Sequence, residues 1–97
     1  MTIDKKLEDT KLTISLTGKL NTITSPKLDA ELADLDGITE LVLDLAELEQ
    51  ISSAGLRVLL SAQRTMDEQG KMIVTHVNEA IHEVFVLTGF INFLTIE

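Results

Sequence analysis

Apolar and polar residues follow two different spacings along the chain, and these separate predicted strands from predicted helices. Residues 11–17 alternate between apolar and polar, which predicts a strand with one covered face, and residues 3–7 are expected to pair beside it. Gly18 is expected to end that strand. Leu41–Leu45 is a short apolar run with one acid, which is typical of a central strand covered on both faces. Two further strands are predicted over residues 71–75 and 92–96.

Three segments with helical spacing lie between and after these strands. The first is predicted to start at the cap Ser25 and to stop at Asp36-Gly37. The second is predicted to have Ser52 or Ser53 as its cap and Gly70 as its stop. The third is predicted to have Asn78 as its cap and Gly89 as its stop. Their predicted inward-facing residues are Leu28, Leu32 and Leu35, then Leu56, Leu59, Leu60 and Met66, then Ile81, Val84, Phe85 and Leu87. The alternation predicts an α/β fold, with a mixed, mostly parallel sheet of about four to five strands flanked by helices. We expect the first strands to be antiparallel.

Composition fits one domain with an aliphatic core. The chain has 97 residues, of which 44% are hydrophobic, with three Phe and no Trp or Tyr. At this length about 60 to 65% of the unfolded surface can be buried, so residues 1–97 are expected to form a single domain. The net charge of -8 and the scarcity of aromatic rings argue against nucleic acid as a partner, because little is available to neutralise phosphates or stack on bases.

Other residue patterns argue against several classes of site. The chain has no cysteine, which rules out a disulfide framework, a thiol nucleophile and a zinc-thiolate site. His76 and His82 lie on different predicted elements without a carboxylate geometry for catalysis or metal binding, and no phosphate-binding glycine loop is present. We therefore expect that the chain is not an enzyme and that it binds no cofactor and no metal. The chain begins without the apolar core of a signal peptide and has no run near the roughly 18 apolar residues of a membrane span, so we expect a cytoplasmic protein.

A candidate site lies where the Leu41–Leu45 strand passes through a short polar turn, residues 46–50, into the second helix. Two adjacent serines, Ser52 and Ser53, stand at the start of that helix. A serine there can act as the N-cap, because its oxygen accepts from the free N–H groups of the first turn. The same hydroxyl can instead be phosphorylated, since the helix dipole tolerates negative charge at this end. The residues alone leave both roles open.

Four segments, spread over most of the chain, carry the elements of one known family. Leu43–Leu45 and Ile51–Leu56 match a strand that ends in an acidic residue, a short turn and a Ser-x-Gly-Leu helix start. Leu16–Asn21 matches a strand-to-turn element of Gly, any residue, an aliphatic residue and an acid. Val84–Ile91 matches a final helix with its glycine turn. This combination resembles the STAS domain of bacterial anti-sigma factor antagonists and implies the same fold.

The resemblance implies phosphorylation at Ser53, because the modified hydroxyl of these antagonists lies two residues before the signature glycine, here Gly55. Ser52 is the second choice, and it stands where several relatives carry aspartate. The implied partner-binding residues are Asn21, Thr22, Thr24, Ser52, Ala54 and Arg57. Asn21 replaces an aspartate of many relatives, and the alternative role of its loop is turn formation. Asp44 and Gly55 are expected to support the site structurally, with Asp44 either bonded to the serine turn or contacted by a kinase.

The resemblance further implies a regulatory binding module. When unphosphorylated it would bind an anti-sigma factor that is itself a serine kinase, and phosphorylation would end the complex until a PP2C-like phosphatase restored it. Arg57 either pairs with the phosphate or is a solvated helix residue. A monomer is expected when the chain is free. The alternative function is a small-ligand or nucleotide-binding component of a transport system, which would use the helix N-terminus as an anion site.

Overall fold

The computed structural model describes residues 1–97 and contains one four-stranded sheet. Its strands are Thr2–Glu8 (β1), Lys11–Leu20 (β2), Glu40–Ile51 (β3) and Lys71–Thr75 (β4). They lie side by side in chain order. β1 is antiparallel to β2, whereas β2 and β3, and β3 and β4, are parallel. The predicted mixed, mostly parallel sheet with an antiparallel start is confirmed.

Three α-helices and one short 3-10 helix complete the fold. They are Ser25–Glu31 (α1), Ser53–Gln69 (α2), Glu79–Thr88 (α3) and the 3-10 helix Phe90–Asn92. α1 connects β2 to β3 and α2 connects β3 to β4, since parallel neighbours require a crossover connection. The predicted α/β class, with helices flanking the sheet, is confirmed.

The first helix is shorter than the sequence predicts. α1 has Thr24 as its cap instead of Ser25, and it ends at Glu31 instead of Asp36-Gly37. The Asp34 carboxylate accepts from the Asp36 N–H at 3.1 Å. Such a local side-chain bond offers the backbone of residues 34–36, beyond the end of α1, an alternative to the helix.

β3 is the longest strand, and it includes the segment predicted as a polar turn. Its pairing with β2 shifts twice, after Ser15 and after Gly18 of β2, and at each shift β3 advances by one residue more than β2. Extra residues of this kind are β-bulges. They bring buried positions to every third residue, at Leu45, Leu48 and Ile51, instead of every second. The prediction that a turn separates the central strand from the second helix is therefore wrong.

Gly18 lies inside β2, so the prediction that it ends the strand is also wrong. Its φ of 102° falls in the left-handed region, which glycine adopts without steric strain, and it sits at the second shift of register. β2 continues to Leu20, whose carbonyl accepts from the Ser52 N–H at 2.9 Å. This bond joins the ends of β2 and β3 at the start of α2.

The core lies on one face of the sheet. Along the strands, buried residues alternate with half-buried ones, as in the sequence Leu41, Val42 and Leu43 of β3. The buried face and the helices form one hydrophobic cluster of 22 residues. Most predicted inward-facing helix residues belong to it, namely Leu28, Leu32, Leu35, Leu56, Leu59, Met66, Ile81 and Phe85. The expectation that the central strand is covered on both faces is wrong, because the side with Val42 stays partly open.

The end of the chain differs from prediction in two places. Leu87 is 77% exposed, because a position two residues after the buried Phe85 lies about 200° further around the helix. Residues 92–96 do not form a strand. The 3-10 helix takes the first of them, and Ile96 makes only an isolated bridge to Val74 of β4.

Asn78 joins α3 to the sheet as well as capping it. Its Oδ1 accepts from the Ile81 N–H at 3.0 Å, which is the predicted cap, and Gly89 ends the helix as predicted. Its Nδ2 donates to the Leu48 carbonyl at 2.7 Å. β4 pairs only with residues 40–44 of β3, so this bond satisfies a carbonyl on the part of β3 that β4 leaves uncovered.

Candidate functional site

Ser52 is the N-cap of α2 and uses its hydroxyl within the fold. Its backbone is extended, with φ -101° and ψ 175°, and its Oγ accepts from the Gly55 N–H at 3.5 Å. Its N–H donates to the Leu20 carbonyl, and its carbonyl accepts from the Leu56 N–H, both at 2.9 Å. Ser52 is half-buried. The capping role, which the sequence leaves open between two serines, therefore belongs to Ser52.

Ser53 is the first residue of α2, and it is exposed. Gly55 lies on the opposite side of the helix, since two residues correspond to about 200° of rotation. A Cβ on Gly55 would lie 2.8 Å from the Leu20 side chain and 2.9 Å from that of Ile51. The missing side chain thus lets the first turn of α2 pack against the ends of β2 and β3. This packing directs the Ser53 side of the turn toward solvent.

Arg57 supplies a positive charge one helical turn after Ser53. It is exposed, and its Nε donates to the Ser53 carbonyl at 3.4 Å. The first turn of α2 contains no acidic residue. Negative charge on the Ser53 hydroxyl would therefore meet the positive end of the helix dipole and one guanidinium. The arrangement suits a serine whose phosphorylation the fold tolerates.

An open groove of about 410 Å³ lies between the start of α1 and the start of α2. Its lining residues are Thr22, Ser25, Pro26, Asp29, Ala54, Arg57 and Val58. Three of the predicted partner-binding residues, Thr22, Ala54 and Arg57, therefore come together here. Sequence reasoning missed the α1 side of the groove, because nothing in a short helix indicates which of its exposed residues lie beside α2.

The other two predicted partner-binding residues of the β2–α1 loop hold that loop in place. Asn21 Oδ1 accepts from the N–H groups of Ile23 and Thr24, at 2.9 and 3.0 Å. Thr24 Oγ1 donates to the Lys19 carbonyl at 2.7 Å and accepts from the Asn21 N–H at 2.9 Å. These bonds are the turn chemistry that the sequence offered as the alternative. Asn21 and Thr24 thereby position Thr22 and Ile23.

Asp44 bonds the segment predicted as the polar turn, at Ala46, and it bonds neither Ser52 nor Ser53. β3 continues from Asp44 to Ile51 before α2 begins. Asp44 Oδ1 accepts from the Ala46 N–H at 3.0 Å, within the first bulge of β3, and lies 3.1 Å from His76 Nδ1. This contact pairs His76 with one carboxylate, which the sequence did not indicate. Since the His76 side chain is 65% exposed, solvent weakens this pair.

No three His, Cys, Asp or Glu side chains are grouped so that they could hold a metal ion. None of the helices combines the length and the apolar composition that crossing a membrane requires.

Comparison with known proteins agrees with this fold. The family model described as Mlab, STAS domain, matches residues 3–95. The chain therefore belongs to the STAS domain family. BtrV of Bordetella bronchiseptica, strain RB50, named as a candidate anti-sigma factor antagonist, is 40% identical over 95 residues, which cover 95% of this chain and 80% of BtrV.

Two solved structures share the fold. An anti-sigma factor antagonist from Mycobacterium paratuberculosis matches with a TM-score of 0.88 at 23% identity, over 98% of this chain and 83% of that one. The Bacillus cell fate determinant SpoIIAA in its phosphorylated form matches with a TM-score of 0.78 at 16% identity, over 99% of this chain and 91% of that one. At these identities the likeness concerns the fold alone, and it confirms the predicted STAS-like architecture.

Proposed function

We propose that this chain is an anti-sigma factor antagonist, a regulatory module that controls transcription by binding an anti-sigma factor. Its membership of the STAS family and its 40% identity to BtrV support this function. The unphosphorylated chain binds the anti-sigma factor, and phosphorylation of Ser53 releases it. The chain is thus a substrate and a ligand in this system, and it is not the catalyst.

One observation carries the assignment of Ser53. Its side chain is exposed at the first position of α2, whereas the neighbouring Ser52 is half-buried and uses its oxygen as the N-cap. A kinase must bind the serine hydroxyl in its own active site, so the hydroxyl must be accessible at the surface. Of the two adjacent hydroxyls, that of Ser53 meets this requirement without loss of a bond that holds α2 in place.

Phosphorylation at Ser53 changes the surface without requiring a change of fold. A phosphoserine adds about -1.5 to -2 charges at neutral pH. Within the chain, the start of α2 and Arg57 accommodate this charge. A partner packed on the groove must instead desolvate the phosphate or face it with its own acids, both of which cost binding free energy. Release then needs no large conformational change.

The proposed partner is a serine kinase that is also the anti-sigma factor, and a PP2C-like phosphatase removes the phosphate. We place all three proteins in the cytoplasm and propose that the free chain is a monomer with one STAS domain over residues 1–97. Thr22, Ala54 and Arg57 form the groove part of the docking surface. Asn21 and Thr24 contribute by holding their loop in shape.

The alternative function, a small-ligand or nucleotide-binding component of a transport system, is not favoured. BtrV and the Mycobacterium structure are named for anti-sigma factor antagonism. The two functions differ in a simple measurement. A ligand site predicts a higher melting temperature with ATP, GTP or phosphate alone, whereas the proposed switch predicts little change without the kinase.

Replacing Ser53 by alanine is expected to abolish phosphorylation by an anti-sigma factor kinase from the same genome. With kinase and ATP, the wild-type chain should gain one phosphate, about 80 Da, measured by mass spectrometry of the intact chain. The matched variant Ser52→Ala should gain the same mass, although loss of its cap costs about 1 kcal/mol of stability. Complete phosphorylation of Ser53→Ala would show that the site is wrongly assigned and would move it to Ser52.

A further inference from the structure

Ile23 is the most exposed large apolar residue of the chain, with 82% of its surface accessible. It lies in the loop between β2 and α1. The other exposed large apolar residues lie elsewhere, and they are Leu7, Val86, Leu87 and Phe93. Single exposed apolar side chains are common on protein surfaces. The surroundings of Ile23 distinguish it from the others.

The loop that carries Ile23 is held by several hydrogen bonds. The Ile23 N–H donates to Asn21 Oδ1 at 2.9 Å, and the same oxygen accepts from the Thr24 N–H at 3.0 Å. Thr24 Oγ1 fastens the loop to the Lys19 carbonyl of β2 at 2.7 Å. The backbone under Ile23 is therefore ordered before any partner binds. An ordered contact residue loses little conformational entropy on association, which favours binding.

Ile23 also directly follows a residue of the groove that adjoins Ser53, the proposed phosphorylation site. Its neighbour Thr22 lines that groove together with Ala54 and Arg57 of α2. Ala54 directly follows Ser53, and the Arg57 Nε contacts the Ser53 carbonyl at 3.4 Å. A protein that covers the first turn of α2 closely enough to be expelled by a phosphate on Ser53 therefore also reaches the β2–α1 loop.

We infer that Ile23 is an apolar anchor that inserts into a hydrophobic pocket of the anti-sigma factor. This inference rests on the proposed function. It adds Ile23, which supplies affinity for the anti-sigma factor, to Ser53, whose phosphorylation ends the complex. The occupant is the anti-sigma factor and not a second copy of this chain, because the anchor adjoins the one surface whose charge the kinase changes. Anchors of this kind, buried at the centre of an interface next to its polar contacts, account for much of the affinity of protein complexes.

The inference gives the two residues different physical roles. Burial of Ile23 is an apolar contribution, so its loss should be nearly independent of salt. A contact made by the charge of Arg57 should weaken as salt rises, because ions screen exposed charges. Salt dependence therefore separates the anchor from the electrostatic part of the surface.

The test measures the Kd of the purified anti-sigma factor kinase for wild-type chain, Ile23→Ala and Leu87→Ala, at about 0.05 M and about 0.5 M salt. Ile23→Ala should bind about 10- to 100-fold more weakly at both salt concentrations, mainly through faster dissociation. Leu87→Ala is the matched control, because Leu87 is also an exposed leucine-sized residue, at 77%, but lies on α3. It should bind like wild type. Ile23→Leu, which keeps the apolar volume, should recover most of the affinity.

Two results would overturn the inference. One is an Ile23→Ala affinity within about twofold of wild type, and the other is an equal loss for Leu87→Ala. A change in sedimentation of the free chain with Ile23→Ala, without a change in kinase affinity, would assign Ile23 to self-association and would also refute the anchor. If the kinase does not bind wild-type chain, the proposed function itself fails and the inference falls with it. The melting temperatures of the variants should stay unchanged, since both side chains are exposed.

Discussion

The variant Ser53→Asp is expected to bind the anti-sigma factor at least about tenfold more weakly than wild type, and fully phosphorylated chain about a thousandfold more weakly. A thousandfold loss corresponds to about 4 kcal/mol, which one unpaired charge at an interface can supply. Aspartate carries less charge and fewer acceptor oxygens than phosphate, so its effect is smaller. The domain should stay folded, because negative charge at the start of a helix is favourable by about 0.3 to 1 kcal/mol.

Calorimetric titration of the anti-sigma factor measures this loss, and Ser61→Asp is the matched control. Ser61 is also exposed on α2, but it lies two turns after Ser53, away from the start of the helix. The control adds the same charge to the chain, so it separates a local effect from a change in overall charge. Equal affinity losses for the two variants, or a loss of cooperative unfolding in Ser53→Asp, would contradict the account of release.

The variant Leu59→Ala is expected to lower the free energy of unfolding by about 2 to 5 kcal/mol. Leu59 is 0% exposed and belongs to the cluster in which α2 meets the sheet. Alanine at this position removes buried methyl groups and leaves a cavity, and both changes reduce stability. For a domain of this size each kcal/mol lowers the melting temperature by roughly 4 to 8 °C, so thermal unfolding detects the effect easily.

Leu60→Ala provides the comparison for Leu59→Ala, since the same side chain is shortened at the next position, where it is only half-buried. Its cost should be clearly smaller, because less apolar surface and less packing are lost. Equal destabilisation by the two variants would show that the inner face of α2 is wrongly placed. Because the inner face of α2 also determines which way Ser53 points, this result would also argue against the exposed position of Ser53.

The parts of the fold that the sequence predicts correctly depend on local signals. The predicted strand over residues 71–75 is β4, and the predicted cap of α3 at Asn78 and its predicted end at Gly89 are also correct. Each of these follows from side chains within a few residues of the element. The extension of β3 to Ile51 could not be predicted in this way. Its buried positions recur every three residues because β3 forms bulges against β2. The sequence of one strand does not determine its register with a neighbouring strand.

For the candidate site, too, local features could be predicted from the sequence, whereas contacts between distant residues could not. The position of Ser53 two residues before Gly55 lies within one helical turn, and the exposed Ser53 and the tightly packed Gly55 agree with the resemblance. The α1 side of the groove and the contact between Asp44 and His76 join residues that are far apart in the sequence. Only the packing of α1 against α2 and the pairing of β3 with β4 bring them together. Periodicity and spacing contain no information on such pairs.

Phosphorylation-site mapping of the chain isolated from cells tests the central claim most directly. Mass spectrometry of the peptide that contains residues 52 and 53 is expected to show one phosphate, on Ser53, under conditions in which the anti-sigma factor is free to hold its sigma factor. The modified fraction should fall when the phosphatase is active. Absence of phosphate from both serines under every such condition, or its presence on Ser52 alone, would contradict the account.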